Sequence, residues 1–338
     1  MMNSCVPTDV DVDARGGQPP QRDVALGASD TEQQELKQVQ ALMKEQVLGL
    51  APGPATEAAA YQIRTGGSLL RARLALASGH AFECPPRYRV AAAAACELIH
   101  NASLVHDDLT DRDEERRGRP TVWKRFGEDV ALCTGDLLLC TAFGIAAAID
   151  DPQASSALVR QLTLMTGRTI VGQSREVAVT EGETRPGLRS YLETTTAKTV
   201  PLIELPLITG AVAAGAGANV MGDIGRFAQA VGLAYQIIDD LDDLVEGPRT
   251  LHPYHAWHHH RAAGQGDAGA RFSRATQHAL AALNRAQRSL ARLDRRIPGA
   301  LAHRLQPLLS QLEARAMEHR RNGAPDGEPA SHGQFPQH

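Results

Sequence analysis

Glu97-Leu98-Ile99-His100-Asn101-Ala102-Ser103-Leu104-Val105-His106-Asp107-Asp108-Leu109-Thr110-Asp111 carries two helical faces at once. Leu98, Ala102, Val105 and Leu109 recur in steps of four, three and four, the spacing of an apolar stripe on an α-helix. Cys96, His100, Ser103, Asp107 and Asp111 recur in steps of four, three, four and four on another face, so a histidine and two small residues line up below the carboxylates. One long helix is therefore predicted from Arg87 to about Asp111, with its chemistry gathered at the C-terminal end.

Tyr235-Gln236-Ile237-Ile238-Asp239-Asp240-Leu241-Asp242-Asp243 repeats that geometry far downstream, with Gly232, Gln236, Asp239 and Asp243 on one face and Leu233 and Ile237 in the stripe. Like charges three and four residues apart on a helix repel, and more strongly where apolar flanks lower the local dielectric. Asp107, Asp108 and Asp111, and likewise Asp239, Asp240 and Asp243, therefore call for a cation. Carboxylate oxygens without histidine or cysteine partners favour a hard one, Mg²⁺ or Mn²⁺.

The 338 residues are 43% hydrophobic but only 4% aromatic, so the core is built from Ala, Leu, Val and Ile, which favours close-packed helices. Further helical patterns are predicted over 31–48, 135–149, 154–171, 188–195, 200–214, 272–293 and 301–321, and no alternating strand pattern is evident. The result is an all-α fold in one domain over residues 31–321. Residues 1–30 and 322–338, rich in Pro, Gly, Asp and Gln, read as disordered tails.

A net charge of −4 with mixed signs argues against a nucleic-acid partner. The five cysteines, Cys5, Cys84, Cys96, Cys133 and Cys140, show no CxxC spacing and read as reduced thiols. With no apolar signal-peptide core near the N-terminus, the expected location is cytoplasmic. Leu205 to Gly222 is uncharged for 18 residues, but its Gly, Ala and Pro206 content favours a buried helix over a membrane span.

The first acidic segment, followed by Arg116-Arg117-Gly118-Arg119-Pro120-Thr121, resembles the first aspartate-rich motif of the trans-isoprenyl diphosphate synthases, and Tyr235 to Asp243 resembles their second. Gly66-Gly67 with Arg71 resembles the family's opening Gly-Gly-Lys-x-x-Arg element, and Thr134-Gly135-Asp136, Gln173 and Lys198-Thr199 fall where it has Gly-Asp, Gln and Lys-Thr. The resemblance runs from about residue 60 to 245. It implies an isoprenoid-synthase-type helical bundle around a central cavity, forming a homodimer, that joins isopentenyl diphosphate to an allylic diphosphate.

On that resemblance Asp107, Asp111 and Asp239 hold metal with help from Asp108, Asp240 and Asp243. Arg116 and Lys198 take the allylic diphosphate, while Arg71, His100 and Arg117 take the homoallylic one. Thr199 and Gln236 belong to the same substrate-binding set, and Lys198 joins the catalytic group. Ala102 and Ser103 occupy the layer where relatives that stop at fifteen carbons place an aromatic ring, so a geranylgeranyl or longer product is expected.

Two departures matter. Ser68 stands where the family has its opening lysine, and Ala72 where it has proline. The lysines expected after the second motif are also absent, and Arg249 with the histidines at 252, 255, 258, 259 and 260 stand there instead. A non-catalytic partner subunit and a metal-dependent terpene cyclase therefore stand as alternatives to an active synthase.

Overall fold

A computed structural model describes residues 30–182, 188–246, 268–297 and 301–323. In chain order they form α1 (Asp30–Leu48), α2 (Pro54–Arg64), α3 (Leu70–Ala81), α4 (Pro86–Asp111), α5 (Val122–Phe126), α6 (Glu128–Ala147), α7 (Pro152–Gly182), α8 (Leu188–Thr199), α9 (Pro201–Ala213), α10 (Ala218–Glu246), α11 (Ala268–Arg296) and α12 (Ala302–Asn322). The architecture is all-helical apart from a two-residue ladder, β1 (Glu115–Arg116) with β2 (Arg119–Pro120), antiparallel and closed by Arg117 and Gly118. Both turn residues have positive φ, the geometry of a tight hairpin whose twist suits the strands. That hairpin departs from the expectation of no strands; two residues per strand are too short for an alternating pattern.

The predicted faces of α4 sort as expected. Leu98, Ala102 and Val105 are fully buried, as are Ala92 to Ala95, and Cys96 lies in the same core. Alanine lets helices approach closely, and α4 packs along α3 and α6. The tightest approach joins α3 to α9: Ser78 Oγ donates to Leu207 O at 2.6 Å and accepts from Gly210 N at 3.0 Å. A Cβ at Gly210 would sit 2.3 Å from Ser78 O, so glycine is required there by space alone.

Several boundaries differ from those read in the sequence. α2 and α3, unmarked by any clear stripe, flank the Gly66-Gly67 element, α6 starts at Glu128 rather than at 135, and α7 runs on to Gly182 rather than stopping at 171. The uncharged stretch 205–222 is not one helix, because it is divided between the end of α9, a turn through Gly215 at φ 62°, and the start of α10. By length and composition α6, 20 residues long, is instead apolar enough to cross a membrane, with mean hydropathy 1.8 over an 18-residue window. It lies packed along α4 as a helix of the bundle.

The C-terminal pair, α11 and α12, closes the bundle against α10. The two acidic helix ends, of α4 and α10, do not form one of the main helix pairs. They are separated by contributions from α3, α7, α8 and α9.

Candidate active site

The expected site residues come from four helices, α3, α4, α8 and α10, and from the hairpin after α4. α4 ends at Arg112, whose left-handed backbone closes the last turn through a hydrogen bond to Asp108 O, and this leaves Asp107, Asp108 and Asp111 at the mouth. The hairpin then folds back over them. Arg116 grips Asp108 through Nε at 2.7 Å and a terminal nitrogen at 2.5 Å, and Asp108 is almost fully buried beneath it. Burial pushes the Asp108 carboxyl up to about 6, against the pull of Arg116.

Lys198, at the end of α8, points to Asp107 at 3.6 Å and to Glu176 of α7 at 2.9 Å. Burial works against its charge, but Asp107 and Glu176 outweigh it and hold the ammonium above its ordinary range. The approach of α7 to α8 that makes this possible depends on Gly172, where a Cβ would lie 2.6 Å from Lys198 N. Asp107 itself is raised by burial, with Lys198 lowering it and Glu176 raising it.

At the opposite wall, Asp239 keeps 48% of its side chain open to the cleft. The protein packed around it still pushes its carboxyl up to about 6, with Arg315 opposing and Asp240 and Asp242 adding to the rise. Asp240 is buried and fully engaged, accepting from Tyr191 at 2.5 Å and from Gln236 at 2.8 Å. Thr199 in turn donates to Gln236 at 3.1 Å, so the predicted substrate residues Thr199 and Gln236 form a relay behind Asp240. Asp242 is turned outward onto α12, where His319 meets it at 2.6 Å and Arg315 also bonds it. The side chain of Asp243, although its backbone belongs to α10, lies outside the described residues, as do Arg249 and the histidines after it.

Arg71 ties the two walls together. Its guanidinium stands 6.0 Å from the centre of the Tyr235 ring on α10. Its charge is felt by His100 on α4 and by Asp239. Burial first, then Arg71, Arg117 and Arg116, hold His100 well below the ordinary histidine range, so its ring is neutral. Arg117 donates to Gly66 O, and its guanidinium lies where a Cβ at Gly67 would stand, which explains the glycine pair. Glu97 accepts from Ala72 N at 2.9 Å and anchors the first turn of α3 beside Arg71. Ser68, on the lead into α3, offers its carbonyl to Arg73 at 2.9 Å.

Ala102 and Ser103 separate. Ala102 is sealed in the core, whereas Ser103 is partly open and its hydroxyl donates to His100 O at 2.8 Å. Only Ser103 of the two faces the side that carries Asp107.

The sequence reading missed Glu176, Tyr191, Arg315 and His319. Glu176 sits one turn beyond Gln173 on α7, so helical spacing from Gln173 was an available signal. Arg315 and His319 come from the far end of the chain, where nothing local marks them.

Several buried polar atoms have no hydrogen-bond partner among the described residues: Arg71 Nε, His100 Nδ1, Asp108 Oδ2, Gln173 Oε1 and Arg315 Nε. Unsatisfied buried donors and acceptors are costly, and here they fall on residues of one chamber. Among the described residues no three acidic, histidine or cysteine side chains already converge as a metal cluster. The carboxylates are instead spread over Arg116, Lys198 and Arg315. Their all-oxygen chemistry, their raised pKa values and the openness of Asp239 suit a hard divalent ion.

A family model described as polyprenyl synthetase matches residues 54–253. The chain is 37% identical over 175 residues to a (2E,6E)-farnesyl diphosphate synthase of Mycobacterium tuberculosis, covering 52% of this chain and 48% of that protein. It is 33% identical over 216 residues to a chloroplastic geranylgeranyl pyrophosphate synthase of Catharanthus roseus, covering 62% of this chain and 60% of the relative. The matched stretch thus spans about half the length of the first of these curated relatives. Its structure resembles that of a geranylgeranyl pyrophosphate synthetase from the archaeon Geoglobus acetivorans, with TM-score 0.70 and 27% identity, covering 84% of this chain and 98% of the other.

Proposed function

We propose that this chain, which belongs to the polyprenyl synthetase family, condenses isopentenyl diphosphate with an allylic diphosphate and releases inorganic diphosphate. The observation that carries the reading is the pair of unsatisfied buried nitrogens, Arg71 Nε and His100 Nδ1, which diphosphate oxygens would satisfy, beside the unsatisfied acceptor oxygens of Asp108 and Gln173, which a metal ion or its water would satisfy. Cleavage of the allylic C–O bond leaves the electron pair on the departing diphosphate and a carbocation on carbon. The double bond of isopentenyl diphosphate then attacks that cation, and loss of a proton completes the product.

Charge decides the rate of the first step. Arg116 and Lys198 lie beside the first aspartates and would offset the charge that grows on the leaving oxygens. Magnesium held by Asp107, Asp111 and Asp239 would supply further positive charge there. Asp108 and Asp240, buried under Arg116 and Tyr191, would hold the two helix ends in place from behind. Arg71, Arg117 and a neutral His100 would receive the homoallylic diphosphate.

Ser103 leaves the layer below Asp107 open, which supports a product of twenty carbons or more. The allylic partner would be dimethylallyl, geranyl or farnesyl diphosphate. A homodimer acting in the cytoplasm completes the proposal. Incubation with Mg²⁺, isopentenyl diphosphate and each allylic diphosphate, followed by sizing of the products, tests it. A ladder ending at geranylgeranyl diphosphate or beyond supports the reading. Absence of condensation with every allylic partner would favour a non-catalytic subunit, and a cyclic hydrocarbon would favour a terpene cyclase.

A further inference from the structure

Asp223, in the second turn of α10, is fully buried and holds three guanidinium groups. Arg226 meets Oδ1 at 2.7 Å, Arg292 meets Oδ1 at 2.9 Å and Arg296 meets Oδ2 at 2.8 Å. One carboxylate cannot neutralise three cations. Arg226 and Arg292 remain 55% and 37% exposed, with most of their N–H groups unspent.

Directly above lies a pocket of about 400 Å³ between α10 and α11, lined by Arg226, Arg285, Arg288 and Arg292 with Ser289 among them. On α11 these residues step by three, four or seven, so they share one face. Neither Arg285 nor Arg288 has an ion-pair partner among the described residues. Asp294, another acid on α11, falls on the opposite side of the helix. Gln229, Ala230 and Leu233 of α10 form the other wall.

Such a gathering of positive charge repels itself, and an anion in the pocket would offset that repulsion. Guanidinium forks match the oxygens of a phosphate, and a pocket of this size admits one or two phosphoryl groups. Its small size does not suit the extended backbone of a nucleic acid. We propose that the α10–α11 pocket is a second anion site that binds a phosphate or diphosphate group through Arg226, Arg285, Arg288 and Arg292. Its lining on α10 runs from about 20 Å (Arg226) to about 9 Å (Leu233) along the axis from Asp239 at 1.5 Å per residue, and none of its lining residues belongs to the chamber described above. The proposal is independent of the prenyl-transfer reading.

The phosphate could be carried by free diphosphate or by a phospholipid headgroup, and the test separates them. Inorganic diphosphate is titrated calorimetrically, with EDTA present, into the full chain and into the Arg285→Gln/Arg288→Gln variant. Vesicles of pure phosphatidylcholine, and of equal parts phosphatidylcholine and phosphatidylglycerol, are sedimented with the same two proteins. Both replaced side chains are exposed, and a melting curve checks that the variant is folded; Arg285→Lys/Arg288→Lys keeps the charge and should retain part of the binding.

The expected result is that one of the two ligands binds the glutamine variant at least about tenfold more weakly, the scale of losing charge-assisted hydrogen bonds. Loss confined to inorganic diphosphate identifies a free anion, and loss confined to phosphatidylglycerol vesicles identifies a headgroup. Equal binding of both ligands to wild type and the glutamine variant overturns the site.

Discussion

Asp108 and Asp239 show how a residue can belong to an acidic motif and still be partly protonated. Their carboxyls lie near 6 in the metal-free protein, against an ordinary 3.8, and Asp107 is raised as well. A folded-state pKa above the unfolded value gives stability that is complete below the unfolded value and lost as pH rises through the folded one. Asp223, held down to about 2 by hydrogen bonds from its three arginines despite its burial, acts in the opposite sense only at far lower pH. His100, held well below its ordinary value of 6.5, works against this as the pH falls, but one ring opposes three raised carboxyls, so in EDTA the protein should melt at a higher temperature at about pH 5 than at about pH 7.5. Saturating Mg²⁺ should raise the melting temperature more at the higher pH, because protons compete for the same oxygens. A melting temperature in EDTA that falls steadily from neutral pH towards pH 5 would contradict these assignments.

Ser68 is the residue that most distinguishes this chamber. With no lysine there, the homoallylic diphosphate of the proposed reaction would be left to Arg71, His100 and Arg117, so its Michaelis constant should be high. Ser68→Lys should lower that constant by about fivefold with turnover nearly unchanged, the signature of added uniform binding. Steady-state kinetics with isopentenyl diphosphate varied would show it. Loss of activity instead would mean that the pocket is organised around serine.

At the scale of elements, small residues decide how near the helices come. Gly210→Ala would drive a methyl group to 2.3 Å from Ser78 O, and neither backbone can yield easily. The substitution should cost about 1–3 kcal/mol of stability, measured by denaturant unfolding. A neutral result would show that α3 and α9 are less closely opposed.

The long helices were legible in the sequence because their stripes are long and regular. Leu98, Ala102 and Val105 are buried as their spacing requires, and the ends of α1, α4, α11 and α12 fall within a few residues of expectation. α2 and α3 were not legible. In α3, polar Arg71, Arg73, Ser78 and His80 interrupt every face, because this helix is buried on several sides and reaches Glu97, Glu32, Leu207 and Glu35 in turn. The acidic helix ends could be read locally. Their partners on distant elements could not: Tyr191 behind Asp240, and Arg315 with His319 against Asp242, are brought in by tertiary packing alone.

Over the whole molecule, the chamber is a place where no main helix pair closes, walled by α4 and α10 and spanned by Arg71, with Lys198 joining α8 to Asp107 and Glu176. Its depth on the α4 side is set by the side chains that lie below Asp107 toward the interior. Ser103 lies roughly 6 Å down the helix axis at 1.5 Å per residue. Ser103→Phe should shorten the main product by at least one five-carbon unit, read by chromatography of the dephosphorylated alcohols. An unchanged product would place the floor elsewhere, because Ala102 is already sealed in the core.

If the two aspartate-bearing helix ends act together, through a divalent ion, on a diphosphate leaving group, release of that group needs both ends and the ion. The most direct measurement follows release of inorganic diphosphate from isopentenyl and geranyl diphosphates by protein stripped with EDTA. Mg²⁺ is then added back to wild type, Asp107→Asn and Asp239→Asn. Joint action of the two ends predicts no release without metal, full recovery in wild type, and a loss of more than about a hundredfold in each variant at nearly unchanged melting temperature. Condensation that survives chelation, or that persists in both variants, would contradict it.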